Sequence, residues 1–290
     1  MAGDKPVFHS DKQVVRSDKF SGVWLSHSSI GDFLTCPRLY YLRSVYKDPM
    51  TGHKISRVEP ALTLGGTVHD VLESLSVLPT EERMKTPILA QYELLWKNVT
   101  GKRGGFKTAV EELEYKERGR KMLQRIIEHP GPLLEKAIKI QDDLPSYWLN
   151  EEENLILCGK VDWLIYKPET DSVHILDFKT GKHDEKESSL QLPIYHLLVK
   201  NTQKREVSGA SYWYIAREDE PREVTLPSLT EAYDKVLTIG RRVKLARQLE
   251  HFECPQGSGG CRYCIPYEAI KNGKGEKVGE SKTRQDLYFL

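Results

Sequence analysis

Two apolar runs, residues 155–166 and 173–179, are joined by Pro168-Glu169-Thr170-Asp171 and constrain this chain more than any other stretch. An antiparallel hairpin turning at Glu169-Thr170 sets Trp163 opposite Leu176, Ile165 opposite His174 and Val161 opposite Phe178. Side chains alternate along a strand, so these residues make one largely apolar face, and Asp162, Asp177 and Lys179 share the other. The same register sets Asp162 opposite Asp177 and Lys160 opposite Lys179. Asp177 and Lys179, two apart on a strand, project the same way with about 6–7 Å between them.

Such an arrangement puts two carboxylates on one divalent cation, and hard oxygen ligands suit Mg²⁺ or Mn²⁺. The ion would polarise a phosphodiester and lower the pKa of its bound water. Lys179 would orient or help deprotonate that water and offset phosphate charge. The backbone carbonyl of Phe178 offers a further ligand. Like charges directly opposite are unfavourable in an empty sheet, so Lys160 facing Lys179 makes sense beside an anion. The plainer alternative is a surface hairpin with a polar solvent face, since Asp-x-Lys alone is a common pattern.

At 290 residues the chain is long enough for one large α/β domain with a helical insertion. The expected fold is a mixed central β-sheet flanked by helices. The expected organisation is a single domain over residues 1–290, with a helical insertion at 80–145 and a cysteine cluster at 251–267. The formal net charge is only +1, so any polyanion site must be a local patch. No apolar run approaches membrane-span length, so no membrane partner is expected. Met1-Ala-Gly-Asp-Lys leads into no apolar segment, and a cytoplasmic protein is expected, in a host's cytoplasm if phage-encoded. There is no GxxxxGK[ST] motif, so any helicase or recombination partner would be a separate protein. Five cysteines, three of them crowded near the C-terminus, do not look like a secreted disulfide framework; in a reducing cytosol such a cluster more often binds metal.

Residues 1–22 are polar and aperiodic, which suggests an irregular lead-in. Ser26 and Ser28 are N-cap candidates for a helix that places Ile30, Phe33 and Leu34 on one face. A second helix fits residues 65–78, with Leu64, Val68, Leu72 and Leu75 as its buried stripe and His69 and Glu73 one turn apart on another face. Within the charged stretch, Gly101-Lys102-Arg103-Gly104-Gly105 reads as a flexible, solvated basic loop. Pro193 near its start suits a helix over residues 190–200, and Gln191 and Tyr195 share one face of it by i,i+4 spacing. A strand at 210–216, a helix at 230–250 and a Gly/Lys-rich tail able to dock back complete the reading.

Taken in order, these segments resemble the RecB-like branch of the PD-(D/E)XK nuclease superfamily, with its AddB-type and CRISPR-associated adaptation nucleases. The similarity runs through Ser26-His-Ser-Ser to Cys36-Pro37-Arg38-Leu-Tyr40-Tyr41, Gly65-Gly-Thr-Val-His69, Gly159-Lys-Val-Asp162, Asp177-Phe-Lys179-Thr-Gly181 and Gln191-Leu-Pro-Ile-Tyr195. It implies a metal-dependent deoxyribonuclease, acting on single-stranded DNA or DNA ends in recombination, repair, phage replication or CRISPR adaptation. His69 would then be a further metal ligand, tilting preference toward Mn²⁺, although a helix histidine satisfied by a carbonyl is the plainer reading. Glu73 reads as solvated. Gln191 and Tyr195 would position catalytic groups or bind the DNA backbone. Arg38, Tyr40 and Tyr41 would meet DNA or pack in the core.

Cys36, Cys254, Cys261 and Cys264 resemble the iron–sulfur staple of the same nucleases, and four thiolates suit a [4Fe–4S] cluster. Here the longer gap precedes Cys-x-x-Cys, the reverse of the commoner family order, and four thiolates also make a tetrahedral zinc site. Cys158 reads as a small buried strand residue. Two other functions stay open: a non-catalytic DNA-binding subunit, and a zinc-stabilised RNA-processing nuclease. Oligomeric state is not legible.

Overall fold

The computed structural model describes residues 22–140 and 144–290, so the expected lead-in at 1–22 lies outside them apart from Gly22. In chain order the elements are β1 (Val23–Leu25), α1 (His27–Thr35), α2 (Pro37–Tyr40), β2 (Lys54–Arg57), α3 (Pro60–Leu75), α4 (Thr80–Arg83), α5 (Ile88–Trp96) and α6 (Ala109–Glu128). There follow β3 (Ala137–Ile138), β4 (Ser146–Asn150), β5 (Leu155–Cys158), β6 (Trp163–Lys167), β7 (Ser172–Phe178), α7 (Gln191–Thr202), β8 (Val207–Trp213), β9 (Arg222–Val224), α8 (Leu229–Gln248), α9 (Ile265–Lys271), β10 (Glu276–Glu280) and β11 (Gln285–Phe289).

The central sheet is mixed, in the order β3-β6-β7-β8-β9. Only β7 and β8 run parallel, because α7 carries the chain back between them. On one face, α3, α5 and α6 pack Val68, Leu72, Tyr92, Trp96 and Leu123 against Trp163, Ile165, Leu176 and Phe178. On the other, α7 and α8 pack with Leu164, Val173, Ile175 and the small sheet β1-β5-β4. The fold is the mixed sheet with flanking helices that the sequence pattern predicts. Both faces are covered, however, so the face carrying Asp177 is not the solvent face of a surface hairpin; Asp177 itself is buried.

The β6–β7 register matches the expected one where it forms, with Trp163 opposite Leu176 and Ile165 opposite His174. Residues 155–166 are nevertheless not one strand. β5 pairs with β1 and β4, β6 pairs with β3 and β7, and residues 159–162 cross from one sheet to the other. Val161 and Asp162 therefore precede the ladder and make no strand pairs with Phe178 and Asp177. Lys160 turns away to an ion pair with Glu73 and does not face Lys179, so Glu73 is paired as well. Gly159 permits the crossing: a Cβ there would lie 2.9 Å from Leu198 Cδ1 of α7.

Local signals decide several boundaries. Ser26 caps α1 in a reciprocal pair with Ser29. Ile30 and Phe33 are buried, but Leu34 is exposed, because this nine-residue helix buries only a narrow stripe. α3 starts five residues before the expected point, with Pro60 in its first turn, and ends at Leu75. The stretch 80–145 is helical through residue 128 but then supplies β3, an edge strand of the central sheet. The basic loop at 101–105 is packed and not free: it forms a tight helical turn, Lys102 pairs with Glu276, and Gly104 is buried. The tail docks back, with β11 parallel to β2 and β10 antiparallel to β11. Tyr40 is wholly buried and Arg38 is paired with Glu268.

Candidate active site

Asp177, the penultimate residue of β7, lies on the α7 side of the sheet, where almost no water reaches it, at 1 % exposure. Its Oδ1 accepts from Gln191 Nε2 at 2.8 Å. Its Oδ2 is buried and receives no aligned hydrogen bond; the nearest cation is the Lys179 ammonium at 2.8 Å. Burial, then the charge of Asp162, pushes Asp177 up to about 7, while Lys179 and His69 pull the other way.

Lys179 leaves β7 in a position fixed by its own backbone N–H, which donates to Trp213 O on β8 at 2.8 Å. Its ammonium also reaches Glu185 at 3.4 Å, donates to Gln191 Oε1, and stands 4.8 Å from the centre of the Tyr212 ring. Burial alone would lower its pKa, but Asp177 and then Glu185 outweigh it, so the group is raised and charged. Gln191 opens α7, and its Nε2 also donates to Tyr195 OH one turn on, at 3.2 Å. Burial, with Asp177 and Asp162 adding to it, holds the Tyr195 phenol well above its ordinary range, so it stays protonated.

Asp162 lies just before β6. Its Oδ2 accepts from the Phe178 backbone N–H at 3.0 Å and stands 3.2 Å from His69 Nδ1 of α3. Burial lowers the His69 pKa, yet Asp162 and Asp177 raise it further, leaving a net upward shift. α3 reaches this end of the sheet because Gly65 has no side chain: a Cβ would stand 3.1 Å from Thr180 Oγ1.

The structure thus gathers Asp162, Asp177, Phe178, Lys179, Gln191, Tyr195 and His69 at one end of the central sheet. Two further groups reach it that sequence reasoning passed over. Glu185, in the loop between β7 and α7, has no periodic signal, and its contact with Lys179 is purely tertiary. His27, inside the quoted Ser26-His-Ser-Ser stretch, is lowered by burial and senses both Glu185 and Lys179. The acidic oxygens and the imidazole are of the kinds that hold a divalent cation.

Residues 24–270 match the family model of the PD-(D/E)XK nuclease superfamily. The chain belongs to this superfamily. It is therefore a hydrolytic nuclease with the restriction-endonuclease-like core, and the matched range spans Asp162, Asp177 and Lys179. Among solved structures, the nuclease is similar to one from Eubacterium rectale named "Putative exonuclease". The two are 14 % identical over 95 % of this chain and 97 % of that one, with a TM-score of 0.50, a likeness of fold. No curated protein sequence matches the chain. No helix among the described residues is long and apolar enough to cross a membrane.

The nuclease carries a second ligand set away from this site. Cys36, Cys254, Cys261 and Cys264 are all buried, and their sulfurs lie within 4.8 Å of one another. Cys36 sits between α1 and α2, and the other three fill the loop from α8 to α9, so the set joins distant parts of the chain. Burial pushes the Cys36 thiol up to about 12. Burial also opposes ionisation of Cys261, but the backbone amides of Cys264 and Tyr263 outweigh it and bring that thiol down to about 7. Leu39, Leu42, Ile55, Tyr267 and Ile270 pack around the four. Cys158 is buried on β5, apart from this group.

Proposed function

We propose that the chain is a Mg²⁺- or Mn²⁺-dependent deoxyribonuclease that acts as an exonuclease on single-stranded DNA or DNA ends. The observation that carries this is the buried Asp177 carboxylate, held between Gln191 and the Lys179 ammonium, in a chain of nuclease family. Asp162, Asp177 and His69 would hold the ion, with the Phe178 carbonyl as a further oxygen. When bound, the ion polarises the phosphodiester and lowers the pKa of its water.

The protein's own groups do the rest. Lys179 is an ammonium, so its part is to orient the water and offset the growing charge on the phosphate oxygens; it has no free pair to take a proton. Gln191 fixes both Asp177 and Lys179, and Tyr195 fixes Gln191. In the reaction the water oxygen bonds to phosphorus and the ester P–O bond breaks. The water proton passes to solvent, and the departing oxygen takes up a proton. His69 Nδ1 stands 3.2 Å from Asp162 Oδ2, and the two groups would share in holding the ion.

The whole chain is read as one domain, with the insertion at 80–145 shaping a DNA channel, of the AddB-type or CRISPR-associated branch. Any motor or recombination partner is a separate protein. The four cysteines form a metal staple that braces this body. Four buried thiols so gathered suit the expected [4Fe–4S] cluster, with a tetrahedral zinc site as the alternative.

The test is cleavage of end-labelled single- and double-stranded DNA, beside RNA of the same sequence, with Mg²⁺ or Mn²⁺. Wild type should cut DNA, and Lys179→Ala should lose at least about a thousandfold in rate while still folding and binding. Binding without cleavage by either protein would support the non-catalytic subunit, and preference for RNA would support the RNA-processing reading.

A further inference from the structure

Three clefts adjoin one another in sequence, each sharing a lining residue with the next. The first, of about 390 Å³, is lined by Asp162, Lys160 and Lys139 among others. The second, of about 650 Å³, shares Lys160 and adds Lys47, Lys54 and Arg247. The third, of about 610 Å³, shares Arg247 and reaches Arg38, Tyr41 and Lys271 beside the cysteine staple.

The middle cleft carries an unbalanced charge. Arg43 is paired with Asp32, and Lys160 with Glu73. Among the described residues, Lys47, Lys54 and Arg247 have no carboxylate partner; the side-chain contact of Arg247 is the Tyr40 hydroxyl, at 3.3 Å. They come from three different parts of the chain: Lys54 from β2, Lys47 from the segment before it, and Arg247 from the last turn of α8. Lys54 is half-buried, and burial, then Arg247, then Lys47 hold it below its ordinary pKa. The nearby Cys158 thiol brings no charge, because burial pushes it up to about 11. Among the described residues, folding here gathers these three cations into a concavity whose one lining carboxylate, Asp32, is already paired with Arg43, an arrangement that a ligand anion would stabilise.

We propose that Lys47, Lys54 and Arg247 form a phosphate-binding subsite that grips the backbone of a DNA strand away from the bond being cut. The subsite adjoins the cleft of Asp162 through Lys160 and the cleft beside the cysteine staple through Arg247, so a strand bound at the candidate site can continue into it. This rests on the nuclease reading above for its ligand, but not for its test.

Binding of a short fluorescein-labelled oligothymidylate is measured in EDTA across a salt series. The proteins are wild type, the double variant Lys47→Ala/Lys54→Met, and a control, Arg118→Ala/Lys121→Ala, which removes the same charge from α6. The log–log salt slope of the cleft variant should be shallower by about 1.4, since each phosphate contact on a single strand contributes about 0.7. The control slope should match wild type. The cleft variant should also melt at or above the wild-type temperature, because a repulsion has gone; a purely structural lysine would give the opposite. Should that variant fail to fold, Arg247→Gln answers alone, with a slope shallower by about 0.7. An unchanged slope, or an equal loss in cleft and control variants, overturns the subsite. Binding is read without metal, so a protein that binds through the cleft but never cuts overturns the nuclease reading alone.

Discussion

Gln191 Nε2 donates to Asp177 Oδ1 at 2.8 Å, and this bond leaves the other carboxylate oxygen facing Lys179. The first residue of α7 thereby orients the penultimate residue of β7. One primary amide serves three partners: its two N–H groups reach Asp177 and Tyr195, and its oxygen accepts from Lys179. The arrangement depends on the β7-α7-β8 crossover, which lays the start of the helix against the end of the strand.

Gln191 is accordingly a positioning residue. Gln191→Ala should lower the cleavage rate about a hundredfold with little change in DNA affinity, because Asp177 and Lys179 lose their common brace. Gln191→Glu should fall further and move the acid limb of the pH–rate profile upward, since a second carboxylate beside Asp177 makes its ionisation harder. If both variants weaken binding in proportion to rate, Gln191 holds DNA and not the site.

Asp177 gives a stability test with a definite sign. Its native pKa is raised to about 7, chiefly by burial and then by Asp162. Between the ordinary carboxylate value and about 7 the native protein binds more protons than the unfolded chain, so stability falls as pH rises through that window. His69, also raised, acts in the same direction as pH passes its own native value. In EDTA, wild type should therefore melt lower at about pH 8 than at about pH 5. Asp177→Asn should flatten the decline and melt above wild type at the higher pH. Mn²⁺ should restore wild type there and scarcely move the variant. A variant with the full wild-type decline would show that another group causes it.

The cysteine staple is open to direct analysis. Zinc predicts a colourless protein with one tightly held ion per chain, and a [4Fe–4S] cluster predicts a brown one with four irons, when prepared without oxygen. Cys261→Ser should release the metal and lower the melting temperature by about 5 °C or more. Full stability with no bound metal would reduce the four thiols to core packing.

Much of the site was legible because strand and helix periods are short and rigid. Two-residue spacing puts Asp177 and Lys179 on one edge, and i,i+4 spacing puts Gln191 and Tyr195 on one helix face. Trp163 and Leu176 pair as counted from the turn. The break after Cys158 was not legible, since a buried apolar run reads alike whether it stays in one sheet or passes between two. Glu185 and Lys160 escaped for another reason: their partners, Lys179 and Glu73, are set by tertiary placement that no local period encodes. The pairing of β11 with β2 joins segments more than two hundred residues apart, beyond any local rule.

The crossing between the two sheets makes the last prediction, because Asp162 is positioned by it. A Cβ on Gly159 would meet Leu198 Cδ1 at 2.9 Å, inside contact distance, and Leu198 is fully buried. Gly159→Ala should cost about 1–3 kcal/mol by overpacking, and Gly159→Val more. Either change pushes residues 159–162 away from α7 and carries Asp162 with them, so cleavage should fall more steeply than stability. Leu198→Ala alone leaves a cavity and should cost about 2–5 kcal/mol. Combined with Gly159→Ala it makes room for the new methyl, so the double variant should be more stable than the sum of the two by about 1 kcal/mol. Denaturant unfolding of the four proteins completes the cycle. Strict additivity would show that the crossing does not lean on Leu198, and that Asp162 is held by the Phe178 amide and His69 instead.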